Sequence, residues 1–363
     1  MTGRARWVAV RGAADDAVRT LLPGYFALVM ATGIVSIGMR VHGRHALSTA
    51  LLWLAGFCYA VLVVLTGWRL VGHRAAVRAD LADPSRAFGF FTFVAGTDVV
   101  AVRLAVAGHH RTALVLLGVG GVSWLLFGYA VPWLAVFGKS RDEVVGGANG
   151  TWFIWVVASQ SVAVLAAVLA AVTPAGRDGL ALLAVACWSV GVFLYAAIGV
   201  VVLARLTLRR LRPEDLTQAY WVAMGSVAIT VVAGARIRQM AGASAADATR
   251  DLVGGASLVF WAFASWLIPA LLAAGWWRHV THRVPLRYDA TWWSLVFPLG
   301  MYGVAGQTLG AADRLPILTR IGDTEIWIAL AAWALTLLAM LRHLYTTVLR
   351  TPRTPSVPRR RTG

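Results

Sequence analysis

Residues 26–36 read Phe26-Ala-Leu-Val-Met-Ala-Thr-Gly-Ile-Val-Ser36, and residues 51–65 read Leu51-Leu-Trp-Leu-Ala-Gly-Phe-Cys-Tyr-Ala-Val-Leu-Val-Val-Leu65. Both lack Asp, Glu, Lys and Arg, and each belongs to an apolar run of about 20 residues, the length a helix needs to cross a bilayer. They differ in kind. The first carries Gly, Thr and Ser, small residues that let helix backbones approach and that suit positions surrounded by protein. The second is rich in Leu and Val, as suits a surface facing acyl chains. Phe93-Val-Ala-Gly-Thr-Asp98 and Val296-Phe-Pro-Leu-Gly-Met-Tyr-Gly303 belong to the first class, and Leu180–Leu203 to the second.

Working outward, ten spans are read: Leu22–Met39, Ala46–Val71, Ala87–Ala107, Thr112–Phe137, Thr151–Val172, Leu180–Leu203, Ala219–Ala235, Leu252–Trp277, Thr291–Leu309 and Ile326–Val348. Small-residue spans fall at odd positions and greasy spans at even ones. The expectation is an all-α membrane domain with odd helices inside and even helices outside, a helical hairpin repeated five times. Each odd span also sets an aromatic two turns before a small residue: Phe26 and Gly33, Phe88 and Ala95, Trp152 and Ser159, Trp221 and Ala228, Trp293 and Gly300.

Composition agrees. Of 363 residues, 59% are apolar and 13% charged, where soluble domains carry roughly 25%. The 33 Lys and Arg against 16 Asp and Glu leave a formal +17, which must sit in loops and tails. With no soluble basic domain to dock on it, nucleic acid is excluded as a partner, and the basic flanks fit a lipid bilayer. Arg69, Arg74, Arg78 and Arg86 follow the second span and Arg205, Arg209, Arg210 and Arg212 the sixth, while the alternate loops hold fewer basic residues. The positive-inside rule then places both termini in the cytoplasm of a cell whose inner (plasma) membrane holds the protein. Three segments follow: a cytoplasmic N-terminal stretch 1–21, one transmembrane domain 22–349 and a basic, disordered cytoplasmic tail 350–363. Cys58 and Cys187 lie inside apolar runs as small hydrophobes, not as a disulfide or metal framework.

Ionisable groups at bilayer depth are costly and draw attention first. Asp98 and Arg103 share the third span. Asp98 is either a proton-coupling group or the partner of a nearby arginine that fixes packing. His109-His110 and His279-x-x-His282 lack the Cys or carboxylates that would complete a metal site, so neither metal nor cofactor is expected. An intramembrane enzyme or sensor would need a nucleophile with its base or a carboxylate cluster, and the sequence offers none. The remaining polar groups, among them Thr32, Thr97, Ser159, Ser161, Thr230 and Gln307, are neutral. They either ease a permeating ion past or bond one helix to the next. Phe297, directly before Pro298, either crosses a narrow pore or packs on a neighbour.

Pro23-Gly-Tyr-Phe-Ala-Leu-Val-Met-Ala-Thr-Gly-Ile-Val-Ser36, Asn149-Gly-Thr-Trp-Phe-Ile-Trp-Val-Val-Ala-Ser-Gln160 and Trp292-Trp-Ser-Leu-Val-Phe-Pro-Leu-Gly-Met301 resemble the tellurite-resistance and C4-dicarboxylate transporter family, which includes plant slow-type anion channels and fungal malic acid transporters. The resemblance runs from about Leu22 to Leu349. It implies five hairpins about a pseudo-fivefold axis, a central pore gated by a phenylalanine of the ninth span, and a homotrimer. The matching position is Phe297. The substrates implied are small anions or C4-dicarboxylates such as malate, and tellurite resistance would be a phenotype of such transport. Candidate pore-lining positions are Phe26, Met30 and Gly33 on the first span, and Phe93 and Gly96 on the third. Trp152, Trp155 and Ser159 follow on the fifth, Met224 and Ala228 on the seventh, and Gly300 and Met301 on the ninth.

Overall fold

The computed structural model describes residues 12, 14–240 and 242–346, and every regular element among them is helical. The tail 350–363 and its expected disorder lie outside the described residues. A short helix α1 (residues 14–19) precedes α2 (Ala27–Val41), α3 (His45–Gly72), α4 (Arg74–Ala82), α5 (Phe91–Val106), α6 (His110–Ala135) and α7 (Arg141–Gly147). Then come α8 (Ile154–Ala170), α9 (Arg177–Leu208), α10 (Val222–Arg238), α11 (Ser244–Trp276), α12 (Trp293–Ala312) and α13 (Pro316–Leu344).

Five consecutive antiparallel hairpins result, α2–α3, α5–α6, α8–α9, α10–α11 and α12–α13, and their first helices pack side by side in the order α2, α5, α8, α10, α12, with α12 returning to α2. Each of those first helices opens through a 3₁₀ turn: Pro23–Phe26, Ala87–Phe90, Gly150–Phe153, Gln218–Trp221 and Ala290–Trp292. The five aromatics noted in the sequence fall in these turns or immediately after them. Two of the turns are closed alike, by Asn149 and Asp289, whose side chains accept from the backbone N–H two residues on. At the other end the chain reverses tightly, with Gly43 and Gly108 at φ of 80° and 93°, where a side chain would be strained.

Burial separates the helices into two classes. In the most apolar stretch of α2, α5, α8 and α10, 72%, 78%, 89% and 83% of residues are buried, against 17%, 17%, 28%, 6% and 17% for α3, α6, α9, α11 and α13. Among the described residues these nine helices are long and apolar enough to cross a membrane. The tenth long helix, α12, is buried from Trp293 to Gly310 except at Leu295. Protein surrounds it, so lipid sets no demand on its composition. Gly303 and Gly306 lie against Gly322 of α13, backbone on backbone, and Pro298 fills the space that Gly225 leaves on α10.

One interaction repeats around the ring. Tyr59 on α3 bonds Thr97 on α5 (3.0 Å), the Trp124 indole on α6 donates to Ser159 on α8 (2.8 Å), and Trp188 on α9 donates to the Thr230 carbonyl on α10 (3.1 Å). Ser265 on α11 bonds Tyr302 on α12 (2.7 Å), and Trp333 on α13 donates to Thr32 on α2 (3.0 Å), which closes the circle. Every outer helix is thus tied to the inner helix of the next hairpin. The hydroxyls of Thr32, Thr97 and Ser159, open to two readings in the sequence, are interhelical bonding groups, while the Thr230 hydroxyl donates to the Ser226 carbonyl of its own helix.

Several boundaries run beyond the apolar segments. The helices α9, α11 and α13 begin about one to three turns before the runs at Leu180, Leu252 and Ile326, because their polar first turns stay helical outside the hydrocarbon layer. The helices α4 and α7 occupy stretches whose polarity reads as loop. Arg69 donates to Asp80 at 2.5 Å and Arg86 adds a second contact at 3.2 Å, which pins α4 to the base of α3. Ser140 and Glu143 form a reciprocal cap on α7, and the bonds from Ser140 hold the Glu143 carboxyl below its ordinary range.

Trp124→Phe and Trp333→Phe each delete one tie while keeping ring volume. Each should lower stability by about 0.5–1.5 kcal/mol, measured as thermal unfolding of detergent-purified protein. Trp53→Phe, at a position 76% exposed on the outer face, should leave the transition unmoved.

Candidate anion path

All five inner helices begin at one rim, here the first rim, and end at the other, the far rim. Between the rims a small cavity of about 30 Å³ lies on the axis of the ring. Every inner helix contributes to its wall: Ile34 and Ile37 from α2, Asp98, Val99 and Val102 from α5, and Ser161 and Val164 from α8. Ile229, Val232 and Arg236 come from α10, and Met301 and Val304 from α12. The wall is mostly aliphatic and the volume admits about one water molecule, so this is a neck.

Toward the far rim the neck meets a chamber of about 310 Å³, with Ile37, Val102 and Arg236 common to both walls. Arg40, Arg103 and Arg236 line the chamber. They occupy the closing turns of α2, α5 and α10, and only α5 is buried enough there to hide its arginine. Arg103 is 2% exposed. Its Nε donates to Ser36 and Ser48 at 3.2 Å each, and its Nη2 to Ser48 at 3.1 Å. Ser36 and Ser48 in turn donate to each other's backbone carbonyls at 2.6 and 2.7 Å, so the guanidinium is fixed by a rigid pair of hydroxyls. Its Nη1 is buried without a partner.

Asp98 behaves differently. It is fully buried, takes one hydrogen bond from Ser161 at 2.7 Å on Oδ2, and leaves Oδ1 without a partner. Its carboxyl lies against Gly120 of α6, where a side chain would collide with it. Among the described residues no arginine pairs with it, the partner that packing alone would suggest. Five residues on one helix turn Arg103 about 140° away from Asp98, so the two face different neighbours.

In the direction of the first rim, helical periodicity carries the inward stripe back one turn from Ile34, Val99, Ser161 and Met301 to Met30, Ala95, Val157 and Phe297, while on α10 the same step reaches Gly225 in its seam with Pro298. All are buried, and Phe297, 1% exposed, is the largest of them.

The profile of the voltage-dependent anion channel family matches residues 20–341, which takes in the whole ring, the neck and the chamber. The chain belongs to that family. Membership in the voltage-dependent anion channel family implies an anion channel or transporter, a class distinct from enzymes. A protein of Methanocaldococcus jannaschii named as an uncharacterized transporter is 24% identical over 338 residues, 91% of this chain and 95% of its own. A second from the same organism, named likewise, is 22% identical over 90% of this chain and 96% of its own. An uncharacterized membrane protein of Mycobacterium tuberculosis (strain H37Rv) is 61% identical over 161 residues, 44% of this chain and 82% of its own.

Within this family fold, the positions singled out in the sequence are spread over several environments. Met301 lines the neck, and Met30 and Phe297 lie one turn behind it on the same stripe. Phe26 and Phe93 meet edge to face at 5.2 Å beside Tyr59, between α2, α5 and α3. Gly33, Gly96 and Gly300 admit Val99, Phe26 and Ile34 across the seams between inner helices. Trp152 stacks on Phe88 at 4.3 Å and donates to the Pro84 carbonyl at the first rim, and Trp155 stacks on Phe91 at 5.7 Å. Ser159 accepts from Trp124, while Met224 and Ala228 are fully buried within α10. The neck residues missed in the sequence are plain aliphatics. Their signal is spacing, since Ile37 and Val99 sit four and three residues after the small seam positions Gly33 and Gly96. The chamber left a clearer one, an arginine near or just past the end of three odd spans.

Ser48 accepts two of the three bonds that fix Arg103 and Ser36 accepts one. Ser48→Ala should therefore cost about 1.5–3 kcal/mol and Ser36→Ala less, read as the order of their unfolding temperatures in detergent.

Proposed function

We propose that this protein carries small anions across the membrane along the axis of its helical ring, with Phe297 as the side chain that sets the rate. The observation that carries the reading is the neck itself. A cavity walled by all five inner helices, and opening into a chamber lined by three arginines, belongs to the ring as a whole. An aliphatic neck one water wide resists ions by excluding solvent, while a basic mouth raises the local concentration of anions and disfavours cations. Five helix N-termini converge on the first rim, so the partial charges there favour anions as well. Charge counting around the loops assigns that rim, with both termini, to the cytoplasm of the plasma membrane.

Phe297 is the bulkiest member of the layer behind the neck, next to Pro298, whose missing N–H leaves the α12 backbone locally less constrained. A ring held there blocks passage until it turns. Small monovalent anions fit the neck with least widening, whereas a C4-dicarboxylate such as malate requires the ring to open further. The path is enclosed within one chain, so a homotrimer would hold three of them.

Asp98 supports a second reading, a proton-coupled carrier. Its Oδ1 has no hydrogen-bond partner at the edge of the neck, a position from which a change of charge would be felt by any ion in the path.

Purified protein in liposomes should pass chloride and nitrate faster than malate, and Phe297→Ala should raise the flux severalfold. Unaltered flux in a folded Phe297→Ala variant would remove the gate assignment. A carrier coupled through Asp98 would instead show malate uptake that rises with an imposed pH gradient, and Asp98→Asn should abolish that dependence. Uptake indifferent to the gradient in the unmodified protein would remove the second reading.

A further inference from the structure

Leu295 is the one residue of α12 between Trp293 and Gly310 that is not buried. It marks where an inner helix shows through the outer layer near the first rim. A furrow lies on each side of it. One, of about 390 Å³, runs between α12 and the last turns of α11, along Leu271, Leu272 and Trp276. The other, of about 320 Å³, runs between α12 and α13, along Ala332, Leu335 and Ala339, which span about 10 Å of helix rise. Trp292 and Leu295 line both, so the furrows are neighbours parted by a single ridge. The ridge is held in place. The Trp292 indole donates to the Arg287 carbonyl at 3.0 Å, and the His279 ring stacks on it at 6.4 Å. Leu272, Trp276 and Leu335 are exposed on this outer face, as side chains that meet acyl chains are.

Charge supplies the second constraint. Arg278 and His279 line the first furrow and Arg287 the second, with no Asp or Glu among the described residues that line either. The stretch from Trp277 to Tyr288 holds Arg278, Arg283 and Arg287 and no acidic residue. Arg278 donates to the backbone carbonyls of Pro213 and Glu214 at 3.3 and 2.9 Å, neutral partners that leave its charge in place. Nearby carboxylates are engaged elsewhere, Asp215 with Arg205 at 3.2 Å and Asp289 with the Thr291 backbone N–H at 2.7 Å. Two apolar furrows that share one ridge and a basic end match a molecule with two hydrocarbon chains joined at one anionic head.

We propose that the paired furrows bind one anionic diacyl phospholipid, with an acyl chain on each side of Leu295 and the phosphate at the Trp292 end, between Arg278 and Arg287. The lipid fills space that α11, α12 and α13 leave open on the outer face, and the site stands whatever passes along the axis.

Native mass spectrometry of the full-length protein in detergent, titrated with dioleoyl phosphatidylglycerol, tests this. One saturable lipid per chain is expected. Dioleoyl phosphatidylcholine, which has the chains without the net charge, and lysophosphatidylglycerol, which has the charge with one chain, should both bind more weakly. Arg287→Gln, at an exposed position with little risk to folding, should weaken phosphatidylglycerol binding by about fivefold, and adding Arg278→Gln should weaken it further. Leu295→Trp, which raises the ridge into both furrows, should weaken both diacyl lipids. Arg74→Gln with Arg78→Gln, exposed arginines of α4 at the same rim that line neither furrow, should leave binding unchanged. An equal loss in that α4 pair would assign the lipid to the charge of the rim as a whole and overturn the site. Phosphatidylcholine binding as tightly would overturn the anionic head, and lysophosphatidylglycerol binding as tightly would overturn the paired chains.

Discussion

Five hydrogen bonds, each running from an outer helix to the inner helix of the next hairpin, hold this fold in register. A hairpin alone has no reason to choose its neighbour, since in lipid the apolar surfaces of helices gain little from meeting one another. Polar groups such as the Trp333 indole or the Tyr59 hydroxyl do have a reason, because leaving them unpaired in hydrocarbon is costly. Placing one such pair at each of the five junctions makes ring closure a matter of polar satisfaction. The small residues then work as spacing. Gly225 against Pro298, or Gly303 against Gly322, lets the tied helices approach until backbones touch.

Spending the small polar residues on these ties has a consequence for the axis. Thr32, Thr97 and Ser159 bond outer helices, and the positions left to face inward are mostly Ile, Val and Met, with Asp98, Ser161 and Arg236 among them. The neck is therefore aliphatic as a by-product of how the ring is bonded, and charge is confined to its ends. Arg103 shows the limit of that arrangement. It reaches bilayer depth with only two serines to accept from it, and a guanidinium so placed is stable because its attachment is rigid and its free end borders a chamber.

The sequence showed the hairpins and their order plainly. The contrast between Phe26–Ser36 and Leu51–Leu65 separates inner from outer helices, and burial in the structure follows it. The inner place of α12 was legible from Val296–Gly303, because Gly and Pro mark protein surroundings where hydropathy does not. Helix ends were less legible, since Asp247 with Arg250 in α11 reads as loop until it is seen as an i, i+3 pair on a continuing helix. The axis was least legible of all. Gly33, Gly96 and Gly300 mark where inner helices touch each other, not where they face the axis, and a seam and a pore wall differ by only one residue in three or four along each helix.

That small offset also explains why Asp98 and Arg103 are not partners. A pair four residues apart on α5 would have met on one face and neutralised itself. At five apart, one group turns to Ser161 and Gly120 while the other turns to Ser36 and Ser48. Each is held by neutral hydroxyls on one side only, which leaves Asp98 Oδ1 and Arg103 Nη1 without a partner. A neutralised pair would have made α5 a more comfortable membrane helix. The arrangement found keeps a guanidinium at the chamber and a carboxyl at the edge of the neck, each tying α5 to a different neighbour.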